Sequence, residues 1–472
     1  MTRSPNGAGH ATGDLVHFVR PVGGTCTGTG GEVTRTIPGA LPHGEPSALE
    51  KRTLRKVTRR LIPFLLLLYI VAWLDRVNVG FAALQMNHAL GFSDAVYGFG
   101  AGVFFVGYAL CEIPSNLILA RVGARLWIAR IMFTWGLISL SMMFVRSATS
   151  FYILRFLLGV AEAGFLPGII YYLTHWYPGV GRARAVSWFM SAIPLSIVVG
   201  GPIAGLLLSM NGLLGLAGWQ WLYLVEGSPA VVLGVVVLFY LTERPEQARW
   251  LNAEERDWLS GRIRAEQELA EKQYRVSLRQ TFSHPTVWHL TFIMFACQTG
   301  SYGLTLWVPQ IIKAFSGLSD LLVGALSAIP YVAAAIGMVL IGWNSDRTRE
   351  RFWHIALPCV LAAIGFTASA YLTSPVPAMI ALTVAAIGDL GSRGPFWALP
   401  GRFLTGSASA AGIALINTFA SIGGFIGPYA VGLIKNETGA FTGGLVMLAL
   451  LLLVGAIATL RLRRAAVLAT VE

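Results

Sequence analysis

The chain has 472 residues, 55% of them hydrophobic and only 12% charged, with a formal net charge of +12 and a mean hydropathy of +0.64. That balance excludes a soluble globular protein and points to a polytopic membrane protein. The basic residues gather at the ends of apolar runs rather than on one soluble face, so the charge reports orientation in a lipid bilayer and no nucleic-acid partner is expected.

Residues 1–50 are rich in Gly, Thr and Pro, without a periodic apolar pattern or the h-region of a signal peptide, and are expected to form a disordered tail. Lys51, Arg52, Arg55, Lys56, Arg59 and Arg60 directly precede the first apolar run and belong in the cytoplasm. Twelve runs long enough to span a bilayer follow, at about 61–84, 95–119, 126–146, 149–173, 184–209, 219–241, 286–312, 319–343, 353–373, 376–400, 406–434 and 441–461. Arg121, Arg125 and Arg130 follow the second run, Arg182 and Arg184 the fourth, Arg347, Arg349 and Arg351 the eighth, Arg402 the tenth, and Arg461, Arg463 and Arg464 the twelfth. The opposite loops hold only Arg146, Lys313 and Lys435. Losing or adding one helix would destroy that alternation, so both termini are expected to be cytoplasmic.

A polar stretch at 242–285, with eight Lys/Arg and eight Asp/Glu, divides the runs six plus six. It reads as a solvated cytoplasmic linker containing amphipathic helix, for example at 253–259. The expected organisation is therefore a tail at 1–50, a six-helix bundle at 51–241, the linker at 242–285, a second six-helix bundle at 286–461 and a cytoplasmic tail at 462–472. The turn Gly342-Trp-Asn-Ser-Asp346-Arg347-Thr-Arg-Glu-Arg351 after the eighth run is echoed after the second by Asn116…Ala120-Arg121-Val-Gly123-Ala-Arg125. Paired halves of this kind suit a rocking carrier with its substrate near the bilayer midplane. Asp346 can accept from helix N-terminal amides while Arg347 and Arg351 hold neighbouring helix ends, a latch whose first copy, Arg121 and Arg125, lacks the acid.

Charges inside the spans carry the functional reading. An ionised side chain at the bilayer centre costs about 2.5 to 3.5 kcal/mol even on lenient scales, so such residues usually face a polar cavity. Asp75 and Arg76 are sequence neighbours about 100° apart on a helix and cannot pair with each other. Arg155 and Glu162, seven residues apart in the fourth run, share one face at about 10 Å separation. The expected arrangement pairs Asp75 with Arg155 and leaves Arg76 free for a substrate carboxylate, which a guanidinium fork matches bidentately. Proton coupling needs a group that changes charge; burial in a low dielectric favours the protonated acid near neutral pH, which singles out Asp75 and Glu162. A static ion-pair network setting helix register is the competing reading. Asp389 and Arg393, four residues apart in the tenth run, either neutralise each other or present Arg393 as a second carboxylate clamp. Glu112 and Glu226 lie near Pro114 and Pro229 and read as structural; Trp219, Trp221 and Trp307 read as an interfacial belt. Four scattered cysteines lack metal-ligand spacing, and no phosphate-binding loop is present, so no metal or cofactor is expected, ATP is not expected to drive transport, and a proton gradient is the expected driving force.

The Gly-x-x-x-Asp-Arg-x-x-x-Arg turn resembles the cytoplasmic loop signature of the major facilitator superfamily. Leu74-Asp75-Arg76-Val-Asn78, Gly107-Tyr108-x-x-Cys-Glu112-x-Pro114, Arg155-Phe-x-x-Gly159-x-x-Glu162-Ala-Gly164, Trp219-Gln-Trp-Leu-x-x-Val-Glu226-Gly and Pro395-Phe-Trp-Ala-Leu-Pro400 together resemble its anion:cation symporter branch, most of all the tartrate and 4-hydroxyphenylacetate permeases. The resemblance covers about residues 50–461 and implies an all-α membrane protein of twelve transmembrane helices in two halves, the major facilitator fold. It implies proton carriage by Asp75 and Glu162, substrate contact by Arg76, and a coupling role for Arg155. Tyr108 and Asn417 match branch positions at the substrate cavity, although either could instead satisfy backbone between packed helices. Trp73 stands where the branch often has Tyr, giving a donor-only wall suited to an aromatic or less hydroxylated acid.

The expected function is proton-coupled uptake of a small organic carboxylate by alternating access, by a monomer in the cell (inner) membrane. Anion exchange or efflux is the alternative within transport, and a transporter-like nutrient sensor the alternative outside it. An enzyme is not expected, since no nucleophile–base pair or metal cluster falls within the spans.

Overall fold

The computed structural model describes residues 47–273, 285–403 and 406–468, all helix and connecting turns. The expected N-terminal tail lies outside the described residues except for 47–50. Those open the first span, Ala48–Leu90, where Ser47 Oγ accepts from the Glu50 amide at 3.1 Å. The basic segment at 51–60 is thus the first three turns of a 43-residue helix rather than a leader before it.

The second span is Asp94–Val122 and the third Ala124–Ser141. The fourth runs from Ala148 to Thr174 with a break after Glu162, where Gly164 takes φ +87° and packs against Ser115. The fifth is Gly179–Met190 continued by Ala192–Leu208, and the sixth is Gly218–Tyr240. In the second half the seventh is Pro285–Thr305 continued by Val308–Ser316, the eighth Asp320–Thr348, the ninth Trp353–Tyr371 and the tenth Pro375–Gly391 continued by Arg393–Trp397. The eleventh is Gly406–Thr438 and the twelfth Thr442–Leu468, so the expected tail from 462 is helical to 468.

Eleven of these segments are long and apolar enough to cross a membrane. The seventh is not among them, because Gln298, Thr299 and Ser301 dilute its apolar run; it occupies the expected place and packs against the eleventh. Large apolar side chains such as Leu110, Leu117, Val339, Ile364 and Ile380 stand exposed on the outside of the bundle, a surface stable only against lipid.

The linker is not a solvated tether throughout. Its helix, Ala253–Gln273, docks on the first half. Glu254 pairs with Arg52 at 3.0 Å, Glu255 with Lys56 at 2.7 Å, and Glu266 accepts from the Gly179 amide at 3.0 Å. Residues 274–284 lie outside the described residues.

The halves meet mainly through the second span against the eleventh and the fifth against the eighth. Glycine makes this approach possible. A Cβ on Gly98 would lie 2.7 Å from the Pro428 oxygen, and one on Gly201 2.5 Å from the Gly324 oxygen, so backbone meets backbone there. These contacts lie at the end remote from the arginine-rich turns. Across the same end Asp94 pairs with Lys435 at 2.7 Å and Gln85 donates to Asp320 at 2.8 Å, so that end of the bundle is closed.

Candidate functional site

Arg76 projects from the first span toward the seam between the halves. It pairs with Glu162 of the fourth span and donates to the Tyr302 hydroxyl of the seventh at 3.3 Å. Its guanidinium carbon lies 5.2, 5.4 and 5.3 Å from the ring centroids of Trp73, Phe104 and Tyr108, an aromatic cage that favours a cation on its faces. The expected free Arg76 is corrected: in this state Glu162 occupies it.

The expected Asp75–Arg155 pair is also corrected. Asp75 accepts from Trp135 Nε1 at 2.7 Å, Ser139 Oγ at 2.8 Å and Asn78 Nδ2 at 3.3 Å, all neutral donors. Arg155 donates to the Gly100 and Ala101 carbonyls at 3.2 and 3.0 Å and lies over Phe104. The reason is backbone proximity: a Cβ on Gly159 would stand 1.9 Å from the Phe104 oxygen, so the fourth span touches the second and brings the guanidinium onto its carbonyls.

The remaining buried valences show what the site lacks. Trp73 Nε1 and Arg76 Nε are donors without a partner among the described residues, and Glu162 Oε2 and Glu112 Oε2 are acceptors without one. Buried polar atoms left in that condition cost about 1 to 3 kcal/mol each.

Asn417 does reach the seam, and its amide donates to Glu112 at 2.7 Å across the two halves, so Glu112 too lies at the seam. Arg393 contacts the seventh span, donating to Gln298 and to the Cys297 carbonyl at 3.2 Å, with Asp389 at 3.8 Å. Neutralisation within the second half describes this geometry better than an open clamp. Sequence reading missed Tyr302, Gln298, Trp135 and Ser139; polar side chains inside apolar runs, at Gln298-Thr-Gly-Ser-Tyr302, were the available signal. Trp307 is fully buried and donates to the Pro428 carbonyl at 3.0 Å, so it is no interfacial belt residue.

The turn after the eighth span is wired differently from the expectation. Glu350, not Asp346, accepts from the first amides of the ninth span, Phe352 at 3.1 Å and Trp353 at 2.8 Å, while Asp346 pairs with Arg351 at 2.5 Å. Arg347 lies over Trp343. In the first half Glu243 does the corresponding work, accepting from the Ala124 and Arg125 amides at 2.7 and 2.8 Å, and the Arg121 side chain is exposed. Beyond the closed end a cavity of about 850 Å³ is lined by Asn87, His88, Asp94, Lys313 and Lys435 among others.

The sequence profile of the Major Facilitator Superfamily matches residues 65–428. A protein of Agrobacterium vitis named "Putative tartrate transporter" is 54% identical over 420 residues, 89% of this chain and 96% of its own length. The chain belongs to the major facilitator superfamily. A "Quinolone resistance transporter" of Acinetobacter baumannii is 43% identical over 410 residues, 87% of this chain and 94% of its own length. Among solved structures, a bacterial homologue of the human lysosomal transporter Spinster, inward-facing and unoccupied, superposes with a TM-score of 0.73 at 18% identity, covering 88% of this chain and 98% of that one. As a major facilitator protein the chain is a multi-pass membrane transporter and not an enzyme.

Proposed function

We propose that this transporter takes up a small organic carboxylate, tartrate or a similar hydroxy acid, together with protons. The observation that carries the reading is the Arg76–Glu162 pair inside its aromatic cage, with the unpartnered donors Trp73 Nε1 and Arg76 Nε beside it. A carboxylate arriving at this seam satisfies both donors and competes with Glu162 for the guanidinium. Glu162, displaced from its cation while still buried, takes up a proton rather than remain an isolated charge. Substrate and proton thus load together, and both partners leave before Arg76 and Glu162 re-pair. Tyr302, Asn417 and Glu112 link the two halves at this depth, so occupancy is felt by both.

In this reading the closed end faces outward, the arginine-rich turns and both termini lie in the cytoplasm of a bacterial cell, and the monomer is the working unit. The test is uptake of radiolabelled tartrate, other hydroxy acids and 4-hydroxyphenylacetate into proteoliposomes under an imposed inward proton gradient. Acceleration of at least one of them is expected; a flat response for the whole panel would sink proton symport. Export or exchange is the second reading, supported by the 43% identity to a protein named for quinolone resistance. Counterflow at equal pH on both sides separates exchange from symport.

A further inference from the structure

The loops at the end remote from the arginine-rich turns hold three Lys or Arg residues, Arg146, Lys313 and Lys435, and two of these, Lys313 and Lys435, line the one cavity of about 850 Å³ beyond the closed end. The bias that orients the chain keeps basic residues at the opposite end, so their convergence here needs a separate cause. Asn87, His88 and Thr442 add polar groups to the same wall, and a volume of this size holds a small organic molecule. Arg76 lies seven residues deeper in the first span than Ala83, the nearest cavity residue of that span, about 10 Å along the axis. Between them Gly80 packs on the seventh span, where a Cβ would stand 2.9 Å from the Leu306 oxygen, so backbone separates the two sites along this span.

The Lys435 ammonium and its supports belong to the second half. Nζ lies 4.4 Å from the Phe441 ring centroid and 5.3 Å from that of Trp307, and Trp307 donates to the Pro428 carbonyl at 3.0 Å. Its carboxylate partner, Asp94 at 2.7 Å, belongs to the first half. When the halves part at this end, the cation therefore stays on its aromatic faces while its acid departs. Lys313, the second cation of the wall, donates to the Leu318 carbonyl at 2.7 Å and to Asp320 at 3.0 Å, and Asp320 accepts from Gln85 of the first half at 2.8 Å. Each of these two links across the closed end thus runs through an acid whose lysine faces the cavity. A carboxylate from solution can take the place of Asp94 on Lys435. One carboxylate replaces another, so the ammonium stays paired, but the bridge between the halves is lost. A ligand that needs Lys435 released from Asp94 binds the open form better than the closed one, and it shifts the population toward opening by that difference in affinity.

We infer that this cavity is an outer docking site for a small organic carboxylate, in which the anion exchanges with Asp94 on Lys435 and loosens the closed end as it binds. The inference rests on the carboxylate reading above for the class of anion and for the side from which it arrives. It goes beyond that reading in placing a first contact outside the seam, on residues distinct from Arg76 and Glu162.

The test uses Phe99→Cys as a reporter, because the Phe99 ring is covered in this state by Phe425 and Tyr429 of the eleventh span, at 5.7 and 5.3 Å between centroids. Labelling by a membrane-impermeant maleimide is followed from outside intact cells and counted above the parent protein's own cysteines. Tartrate or 4-hydroxyphenylacetate added outside is expected to speed labelling about two- to fivefold, the shift that loss of a partly buried ion pair gives. Choline chloride at equal ionic strength is expected not to. Lys435→Gln should raise the resting rate by a similar factor and abolish the response to the anion, and Lys435→Arg should restore it, which a merely structural role would not do. The response should persist when Arg76→Ala disables the central site. If the response survives Lys435→Gln, is matched by choline chloride, is lost with Arg76→Ala, or is absent for both acids in the reporter protein, the docking site is overturned. Labelling involves neither uptake nor a proton gradient, so a flat response in the symport assay would leave a positive result here standing, and the reverse also holds.

Discussion

The two halves share one architecture but not one chemistry. In the first half four acids, Asp75, Glu112, Glu162 and Glu226, and two arginines, Arg76 and Arg155, are buried within one six-helix unit, and among the described residues a single ion pair joins them. In the second half the corresponding depth holds Asp389 and Arg393, one acid and one base on adjacent turns, with the base already bonded to Gln298 and the Cys297 carbonyl. An excess of acids over bases in a low-dielectric interior is a store of titratable protons, whereas a balanced pair on one helix face is a polar wall. In the proposed reading the difference gives ion chemistry to the first half and leaves the second to close over the substrate with Tyr302 and Asn417.

Removing the central cation should break that asymmetry most severely. Arg76→Ala deletes the proposed carboxylate ligand and strands Glu162; breaking a buried pair costs about 3 kcal/mol or more, which corresponds to a binding loss above about 100-fold. Calorimetric titration with the transported acid measures it, and a loss below tenfold would move the carboxylate site elsewhere. Glu162→Gln tests the proton half of the same pair. Counterflow exchange should survive because Arg76 is left free, while gradient-driven accumulation should fall to simple equilibration. Accumulation at the wild-type level would take the proton from Glu162. Arg393→Ala is the control from the other half: a KM increase of less than about tenfold is expected from a wall residue, and a loss equal to that of Arg76→Ala would make the two arginines a symmetric clamp.

How much of this was legible in the sequence follows the range of each physical rule. Apolar run length and arginine placement are properties of single segments, and the twelve runs, the six-plus-six division and the burial of Asp75, Arg76, Arg155 and Glu162 could all be read from them. Partner choice is a property of how helices meet. The seven-residue spacing put Arg155 and Glu162 on one face, yet it carried no information that Gly159 would bring the fourth span against the Phe104 carbonyl and hand Arg155 to the second span's backbone. Likewise the acid that caps the ninth span is Glu350 rather than Asp346: Asp346 still belongs to the eighth helix with its carboxylate exposed, while the turn at Arg349, φ +54°, brings Glu350 to the start of the ninth. The break in the fourth span was marked by Gly164, but its place, immediately after Glu162, emerged only with the fold.

Smaller effects are expected where the halves touch at the closed end. Asp94 and Lys435 are both partly buried, and Lys435 also sits 4.4 Å from the Phe441 ring centroid, so the link across the halves is more than a surface pair. Lys435→Ala should weaken the closed end by about 0.5 to 1 kcal/mol, a two- to fivefold population shift. Cysteine accessibility beside Gly98, read from outside intact cells, reports it; no change would mean that the glycine contacts alone keep this end shut.

The smallest effect concerns the linker helix. Burial opposes ionisation of Glu255, but hydrogen bonds from Lys56 and the Asn252 amide, with the charges of Lys56 and Arg52, outweigh it and hold the carboxyl below its usual range. A depressed carboxyl group stabilises the docked form fully above its unfolded-state value and loses that contribution as pH falls through the folded one. Docking of 253–266 on the first span should therefore be unaffected between neutral pH and about 5 and loosen only under more acidic conditions. Glu255→Gln should loosen the docked helix at neutral pH, seen as modestly faster amide exchange over 253–266, while the contacts of Glu254 and Glu266 persist and the spans exchange as before. Since Glu255 lies on the linker helix, docked at the arginine-rich end of the first half, and its ion pairs are with Arg52 and Lys56 rather than with residues of the seam, a change in substrate affinity on its removal would show that the linker senses the site, extending the asymmetry between the halves beyond the membrane.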